Sequence, residues 1–430
     1  MLIKDVTVLT ADGGSAEHCW VATQGEYISY IGPQQGAPHD TEEVDGRGGL
    51  LTAGFVNAHT HVPMTLLRGW GEDLPLQRWL NERIFPFEDQ LDGDAVYWGS
   101  LLGMAEMIQG GTTSFTDMYY FCDRIVDAAE HCGIKANIGR GLTCFDPQAK
   151  LAELPAYRES EQLLQRLQGR ARLRADVAPH AEYTTRPDLL EGLAALAERY
   201  GARMHIHLSE TESEHRECIA RHGVTPAGLL EKTGVLSRPV TVAHGVWLSE
   251  QDVELLAARD VTLAHCPKSN AKLGSGIAPV ARYLQKGLKV ALGTDSAASN
   301  NALRMVEEMR FAALLAKASA CDPCALPAAD ALHMATRAGA LSQGRTDCGI
   351  LAVGARADLV LFDTERPCMQ PQHDALANLL YAAGQHCVRM TVVDGKVLYR
   401  DGEFTTLDIE RVCFEAARCT EKIVQKLQKR

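Results

Sequence analysis

No stretch of the 430-residue chain reaches 18 uncharged apolar residues, because Glu, Arg or Gly interrupts the alanine- and leucine-rich segments every few positions. A membrane span is therefore not expected. The N-terminal residues, MLIKDVTVLTADGG, lack the long apolar core and cleavage site of a signal peptide and alternate like a β-strand instead. A basic cluster is also missing. The formal net charge of -12 repels phosphate backbones, which excludes nucleic acid as the expected partner and leaves a small-molecule substrate. Low-complexity and linker segments are absent. Cysteine is the exception to this list, with 13 residues, but they are scattered and odd in number and no export signal precedes them. Reduced thiols and a cytoplasmic location are expected. Cys321 and Cys324 form a CxxC with no second Cys/His pair nearby and with Pro323 between them, so they are read as loop residues and not as a zinc or redox motif.

With 46% hydrophobic content, a chain of this length can bury one barrel of roughly 250 residues and still supply a second small domain. Between residues 54 and 345 one phrase recurs: a short β-branched run, a polar loop, then a helical segment. The runs fall at 54–61, 113–118, 135–142, 174–181, 204–209, 240–246, 261–266 and 290–294, with helices such as 188–199, 250–258 and 302–317 between them. Eight such units predict an α/β fold, a closed (β/α)8 barrel. The flanking segments, 1–53 and 346–430, have a different character, with alternating β residues and the turn pairs Asp394-Gly395 and Asp401-Gly402. They are expected to meet in a small β-sandwich built from both chain ends, followed by a C-terminal extension.

Asn57-Ala58-His59-Thr60-His61 ends the first of these strands. Residues two apart share a side of a strand, so His59 and His61 both face the barrel axis at its C-terminal mouth, where imidazoles fill a core poorly and bind metal well. Ligand-type residues end three more strands: His207, His244 and Asp295. His205 shares the face of His207 one layer deeper and reads as a buried core histidine, although alternation alone does not choose between the two. His265 ends the seventh strand on the same mouth and has either a supporting or a structural role.

Taken with the phrases HTHVPMTLLRGWGEDLPLQRWL, HLSETESE, VAHGVWLS, HCPKSNAKLGSGIAPV and LGTDSAASNN, these residues resemble the amidohydrolase superfamily, and within it the 5-methylthioadenosine/S-adenosylhomocysteine deaminases. The resemblance runs from about residue 50 to 365. It implies a metal-dependent aminohydrolase that converts an adenine-type nucleoside to the inosine analogue plus ammonia. It also implies that His59, His61, His207 and Asp295 hold one divalent ion per subunit, commonly zinc, with Fe2+ or Mn2+ as alternatives. The end of the fourth strand, Pro179-His180-Ala181-Glu182-Tyr183, supplies no lysine to bridge two metals, so one is favoured, with Glu182 the only bridging alternative. Asp295 is the implied proton acceptor, His244 orients or stabilises the attacking oxygen, and Glu210 is the implied acid toward the ring nitrogen. By position alone Glu210 would equally be an ordinary acid at a helix N-terminus.

The resemblance further implies that Glu88 accepts hydrogen bonds from ribose hydroxyls, that His180, Glu210 and His244 contact the nucleoside, and that Arg140 helps bind the amino-acid tail of S-adenosylhomocysteine in a homo-oligomer. The second tail-binding arginine of these relatives has no counterpart here: Lys150 is the nearest candidate and Arg158 the next. Lysine lacks the planar fork that grips a carboxylate in two places, so methylthioadenosine or adenosine is expected to be favoured. Trp70 and Trp79 lie in the loop after the first strand, where core packing is the expected role rather than contact with a planar base. The alternatives are another heterocycle on the same site (guanine, a pterin or a triazine) and, in a different class, a metal-free scaffold.

Overall fold

The computed structural model describes residues 1–10, 13–39 and 42–429. Eight parallel strands, Phe55–Thr60, Thr112–Tyr119, Lys135–Leu142, Leu173–Pro179, Met204–Leu208, Val240–His244, Val261–His265 and Lys289–Leu292, neighbour one another in sequence order. Each falls on a predicted segment. Most are buried along their whole length, as strands covered by helices on one side and a filled interior on the other must be. The predicted helices appear as Pro187–Tyr200, Glu250–Ala257 and Met305–Ala320.

The seam between the first and eighth strands closes the barrel. Asn57 Oδ1 accepts from the Thr294 amide at 3.0 Å, Asn57 Nδ2 donates to Thr294 Oγ1 at 2.7 Å, and the Asp295 amide donates to the His59 carbonyl at 3.0 Å. Such an approach needs glycine at 293, where a Cβ would sit 2.9 Å from the backbone N and O of His59.

Both chain ends contribute to a second, mixed sheet of eight strands, in the order Glu403–Phe404, Lys396–Arg400, Val388–Val393, Leu359–Phe362, Glu43–Ala53, Leu2–Leu9, Ser15–Gln24, Tyr27–Gly32. Only Leu2–Leu9 and Glu43–Ala53 run parallel to each other. Bulges along Leu2–Leu9 increase its twist, and the inward side chains, among them Ile3, Val21, Val44, Leu359 and Val392, share one core separate from that of the barrel. Asp394-Gly395 makes the expected tight hairpin, both residues having positive φ (47° and 74°). The C-terminal helix Ile409–Gln428 lies against the barrel helix Gly93–Gln109, burying the stripe Val412, Ala416, Cys419 and Ile423. Among the described residues no helix is long and apolar enough to cross a membrane.

A buried ion cluster joins the two parts. Lys135, at the start of the third barrel strand, places Nζ 2.6 Å from Asp358 and 2.6 Å from Asp394, both of which flank strands of the mixed sheet. All three side chains are at most one-tenth exposed. Removing only the cation would take the charged partner 2.6 Å from the buried Asp358 carboxylate and leave Asp394 with Arg356, 3.2 Å away. Lys135→Met is therefore expected to cost about 3–5 kcal/mol in chemical denaturation, whereas Lys289→Met, which breaks the half-exposed pair with Asp260, should cost under about 1 kcal/mol. Equal losses in the two variants would show that the cluster does not couple the domains.

Candidate active site and metal centre

The strand ends converge at the mouth of the barrel. His59 Nε2 and His61 Nε2 lie 3.5 and 3.4 Å from Asp295 Oδ1, and His207 Nε2 lies 3.3 Å from His61 Nε2. The ligand atoms of the three histidines all fall within 4.8 Å of one another. Nitrogen and oxygen ligands about 2.1 Å from a tetrahedral ion are separated from each other by roughly 3.4 Å, so these four residues fit one divalent cation. The donor set agrees, since His59 Nε2 is buried without a hydrogen-bond partner.

Hydrogen bonds to the far side of each ring select the nitrogen that faces inward. His61 Nδ1 donates to the Met118 carbonyl at 2.5 Å, His207 Nδ1 to the His180 carbonyl at 2.7 Å, and His59 Nδ1 pairs with His205 Nε2 at 2.8 Å. His205 is thus the deeper, supporting member of its strand, as expected. Burial, reinforced by neighbouring histidines, pushes the His59 imidazole down to about 4 and His207 well below the ordinary value, so both are neutral, the form that a metal requires. Asp295 Oδ2 accepts from Ser269 Oγ at 2.6 Å and from Ser299 Oγ at 2.8 Å, which leaves Oδ1 to face the histidines. Burial opposes charge on this carboxyl, but His59, His244 and His61 outweigh it and hold the group well below the carboxylate range. Asp295 and His244 both adopt left-handed backbone (φ 58° and 73°), a strained conformation for histidine that the surrounding bonds sustain.

Across the mouth, His244 Nδ1 pairs with Asn270 Oδ1 at 2.8 Å and its Nε2 stands 3.8 Å from Glu210 Oε2. Burial lowers the His244 value, yet the Glu210 and Asp295 carboxylates carry it above normal. Glu210 Oε1 accepts from Ser275 Oγ at 3.1 Å. It is not the helix-terminal acid that its position allowed: the helix Glu212–His222 is capped by Thr211, and Glu214 turns back to accept from the amides of Ser209 and Glu210 at 2.8 and 2.7 Å.

His61, His207, His244, Glu210 and Asp295 line a cavity that also contains Glu88, His180 and Trp79. Glu88 ends the short helix Phe85–Glu88, lies beside Tyr119 and is raised to about 7, chiefly by burial. The His180 ring lies 4.6 Å from that of His207. Trp79 packs in the hydrophobic core as expected and also lines the cavity, while Trp70 packs on Phe87 and donates to the Arg83 carbonyl. Arg140 stacks on Tyr120 and pairs with Glu159; Tyr120 and Gly141 line the cavity but Arg140 does not. Lys150 and Arg158 are exposed and likewise outside the lining. Glu182 binds Arg221 at 2.6 Å instead of joining the histidines, and His265 is a buried neutral neighbour lowered to about 3 by burial. Ser269, Asn270, Ser275 and Ser299 carry no ligand-type signal of their own, although all four lie in the phrases quoted for the resemblance. Cys321 and Cys324 join no ligand-type group among the described residues.

Comparison with known proteins agrees with this architecture. The chain is 43% identical over 433 residues, 99% of each sequence, to a 5-methylthioadenosine/S-adenosylhomocysteine deaminase of Pelotomaculum thermopropionicum. It is 45% identical over 385 residues, 89% of each, to a 5'-deoxyadenosine deaminase of Methanothermobacter thermautotrophicus. Among solved structures, an adenosine deaminase from Xanthomonas campestris with bound zinc superposes with a TM-score of 0.95 at 33% identity, covering 99% of this chain and 98% of that one. Residues 50–398 match the amidohydrolase family, so the barrel, its histidine-rich mouth and the full-length relatives agree: this chain belongs to the amidohydrolase family.

Proposed function

We propose that this protein is a metal-dependent aminohydrolase that deaminates an adenine-type nucleoside, namely 5'-methylthioadenosine, S-adenosylhomocysteine or adenosine, to the inosine analogue and ammonia. The observation that carries the reading is the convergence of Glu210, His244, Asp295 and Glu88 on one cavity in a chain similar over its full length to nucleoside deaminases. In this reading His59, His61, His207 and Asp295 hold one divalent ion, with zinc the first candidate. When bound, the ion supplies Lewis acidity that lowers the pKa of water toward neutrality.

The chain's own groups account for the remaining chemistry. Asp295, kept ionised, takes a proton as water adds to the ring carbon that bears the amino group. His244, anchored by Asn270, orients the attacking oxygen. Glu210 gives a proton to the adjacent ring nitrogen, so that negative charge does not build on the ring; the proton held by Asp295 passes to the amino group, and as the C–N bond breaks to release ammonia the added hydroxyl becomes the carbonyl and returns its proton to Glu210. Glu88, in the same cavity, suits ribose hydroxyls, and His180 the nucleoside face. A guanine, pterin or triazine specificity is favoured less, since none of these bears a ribose for Glu88 to bind.

Removing a ligand and removing the acid should have different consequences. Asp295→Ala or His59→Ala should lose bound metal and turnover while circular dichroism stays native, whereas Glu210→Gln should keep stoichiometric metal and lose on the order of a hundredfold or more in turnover. Metal analysis alongside ammonia release separates the two roles, and full activity in any of these variants would overturn its assignment.

Specificity is the second test. Arg140 has Lys150 as the nearest substitute for a partner arginine, and that lysine is exposed and ion-paired only with Glu153. A carboxylate tail should therefore be held weakly and salt-dependently. kcat/KM for methylthioadenosine or adenosine is expected to equal or exceed that for S-adenosylhomocysteine, and Arg140→Met should impair only the last. A strong preference for S-adenosylhomocysteine that is indifferent to Arg140→Met would refute this reading, while ammonia release from guanine or triazines alone would refute the nucleoside assignment itself.

A further inference from the structure

A second group of ligand-type side chains assembles far from the barrel mouth in the chain's connectivity and outside the active-site lining: Cys368, His386 and Cys387. Cys368 lies in the short turn Pro367–Met369, and the other two in the turn Gln385–Cys387. Cys368 Sγ is 3.4 Å from Cys387 Sγ and 3.5 Å from His386 Nε2, and the three ligand atoms all fall within 4.8 Å of one another. Cys387 is buried, Cys368 half-buried and His386 exposed.

Zinc binds thiolate sulfur at about 2.3 Å and imidazole nitrogen at about 2.0–2.1 Å, so tetrahedral neighbours are separated by roughly 3.8 Å (sulfur to sulfur) and 3.6 Å (sulfur to nitrogen). The observed spacings need only a few tenths of an ångström of adjustment. A disulfide, at about 2.05 Å, would require the sulfurs to close by well over an ångström and would leave the imidazole without a role. Both turns are held in place by backbone and side-chain bonds: Asn378 Nδ2 donates to the Met369 carbonyl at 3.0 Å, the Asp363 amide donates to the Cys387 carbonyl at 2.7 Å, and Gln385 Nε2 donates to Gln109 Oε1 of the barrel helix at 2.8 Å. Gly384 allows the imidazole to fold back toward the thiols, since a Cβ there would sit 2.7 Å from His386 Cε1 and Nδ1.

We propose that Cys368, His386 and Cys387 form a second metal site, selective for a thiophilic ion such as Zn2+, with its fourth position open to water beside the exposed imidazole. Two thiolates and one imidazole are a soft set, unlike the three imidazoles and carboxylate at the barrel mouth, so the two sites differ in the ions they favour. Binding releases the two thiol protons to solvent, so affinity rises with pH. The ion would clip the segment after Leu359–Phe362 to the segment before Val388–Val393, where the mixed sheet meets the barrel helix Gly93–Gln109. Three protein ligands leave it exchangeable, unlike the ion of a closed four-ligand structural site.

Cobalt distinguishes the two sites, because only thiolate ligation gives an intense sulfur-to-cobalt charge-transfer band in the near ultraviolet. The full-length protein, stripped with a chelator and reloaded with Co2+, should take up two ions per chain and show that band. Cys368→Ser should abolish the band and one equivalent of cobalt, and His386→Ala and Gly384→Ala should weaken binding at that equivalent. All three should retain ammonia release with the remaining ion, and a Cys321→Ser/Cys324→Ser control should retain the band. His386 is exposed, so its variant tests the site without endangering the fold. The proposal is overturned if wild-type protein shows no thiolate band, if the band survives Cys368→Ser, or if mass analysis finds a Cys368–Cys387 disulfide in place of the ion.

Discussion

The approach of the eighth barrel strand to the first is the constraint on which the site depends. His59 and Asp295 are 236 positions apart in the chain but share a backbone hydrogen bond, and that bond exists only because Gly293 presents no side chain to His59. Asn57 then replaces part of the ladder with its own amide, saturating both the backbone and the hydroxyl of Thr294. A wider seam would separate the carboxylate from the two imidazoles of the first strand. Asn57 and Gly293, neither of them ligand-like, therefore set the distance between the groups that are.

Charge at the mouth is organised from outside inward. Each of the three candidate ligand imidazoles has its other nitrogen engaged, two by backbone carbonyls and one by His205, and His244 is held in the same way by Asn270. Two serines occupy one oxygen of Asp295, and a serine and a glutamate fix the position of Glu210. Glu214 is raised to about 7, first by burial and then by the nearby Glu210. A carboxyl in that state can bind backbone amides without adding a full charge beside the acid it supports. Two glutamates four residues apart thus take different parts, one aimed into the cavity and one into the loop that carries it.

Much of this was legible in the sequence for a physical reason: parallel barrel strands are short, buried and β-branched, and ligand residues at their C-terminal ends interrupt that pattern visibly. His59, His61, His207, His244 and Asp295 stand out in this way. Alternation places His205 and His207 on the same side and carries no information about depth, so their roles separate only when His205 is seen beneath His59. Ser269 and Asn270 sit on the short helix Pro267–Lys272, and Ser275 and Ser299 in loops, where the sequence is too short or too irregular for periodicity to report direction. Trp79 reads as a core residue because it lies in an amphipathic segment, and it packs in the core; a cavity wall is also an apolar environment, so the same pattern does not report that Trp79 lines the cavity as well. The pairing of Cys368 with Cys387 and His386 depends on two turns brought together by the mixed sheet, which no local spacing encodes.

The 5' end of the cavity shows how the same fold can change its preference with little rebuilding. Arg140 is already committed on two sides, to the Tyr120 ring and to the Glu159 carboxylate. A substrate carboxylate would have to compete with Glu159 for the guanidinium, and an arginine that keeps one partner while gaining another must share its five donors. The wall nearest the cavity is instead supplied by Tyr120 itself and by apolar side chains such as Met64, Leu80 and Phe85. Burying a methylthio group against such a wall removes apolar surface from water at about 25 cal/mol per Å² and leaves the Arg140–Glu159 pair intact. A charged tail gains the guanidinium only by displacing a carboxylate already in place. In the reading proposed above, the balance between these two costs, rather than the metal site or the proton-transfer groups, decides which nucleoside the cavity selects.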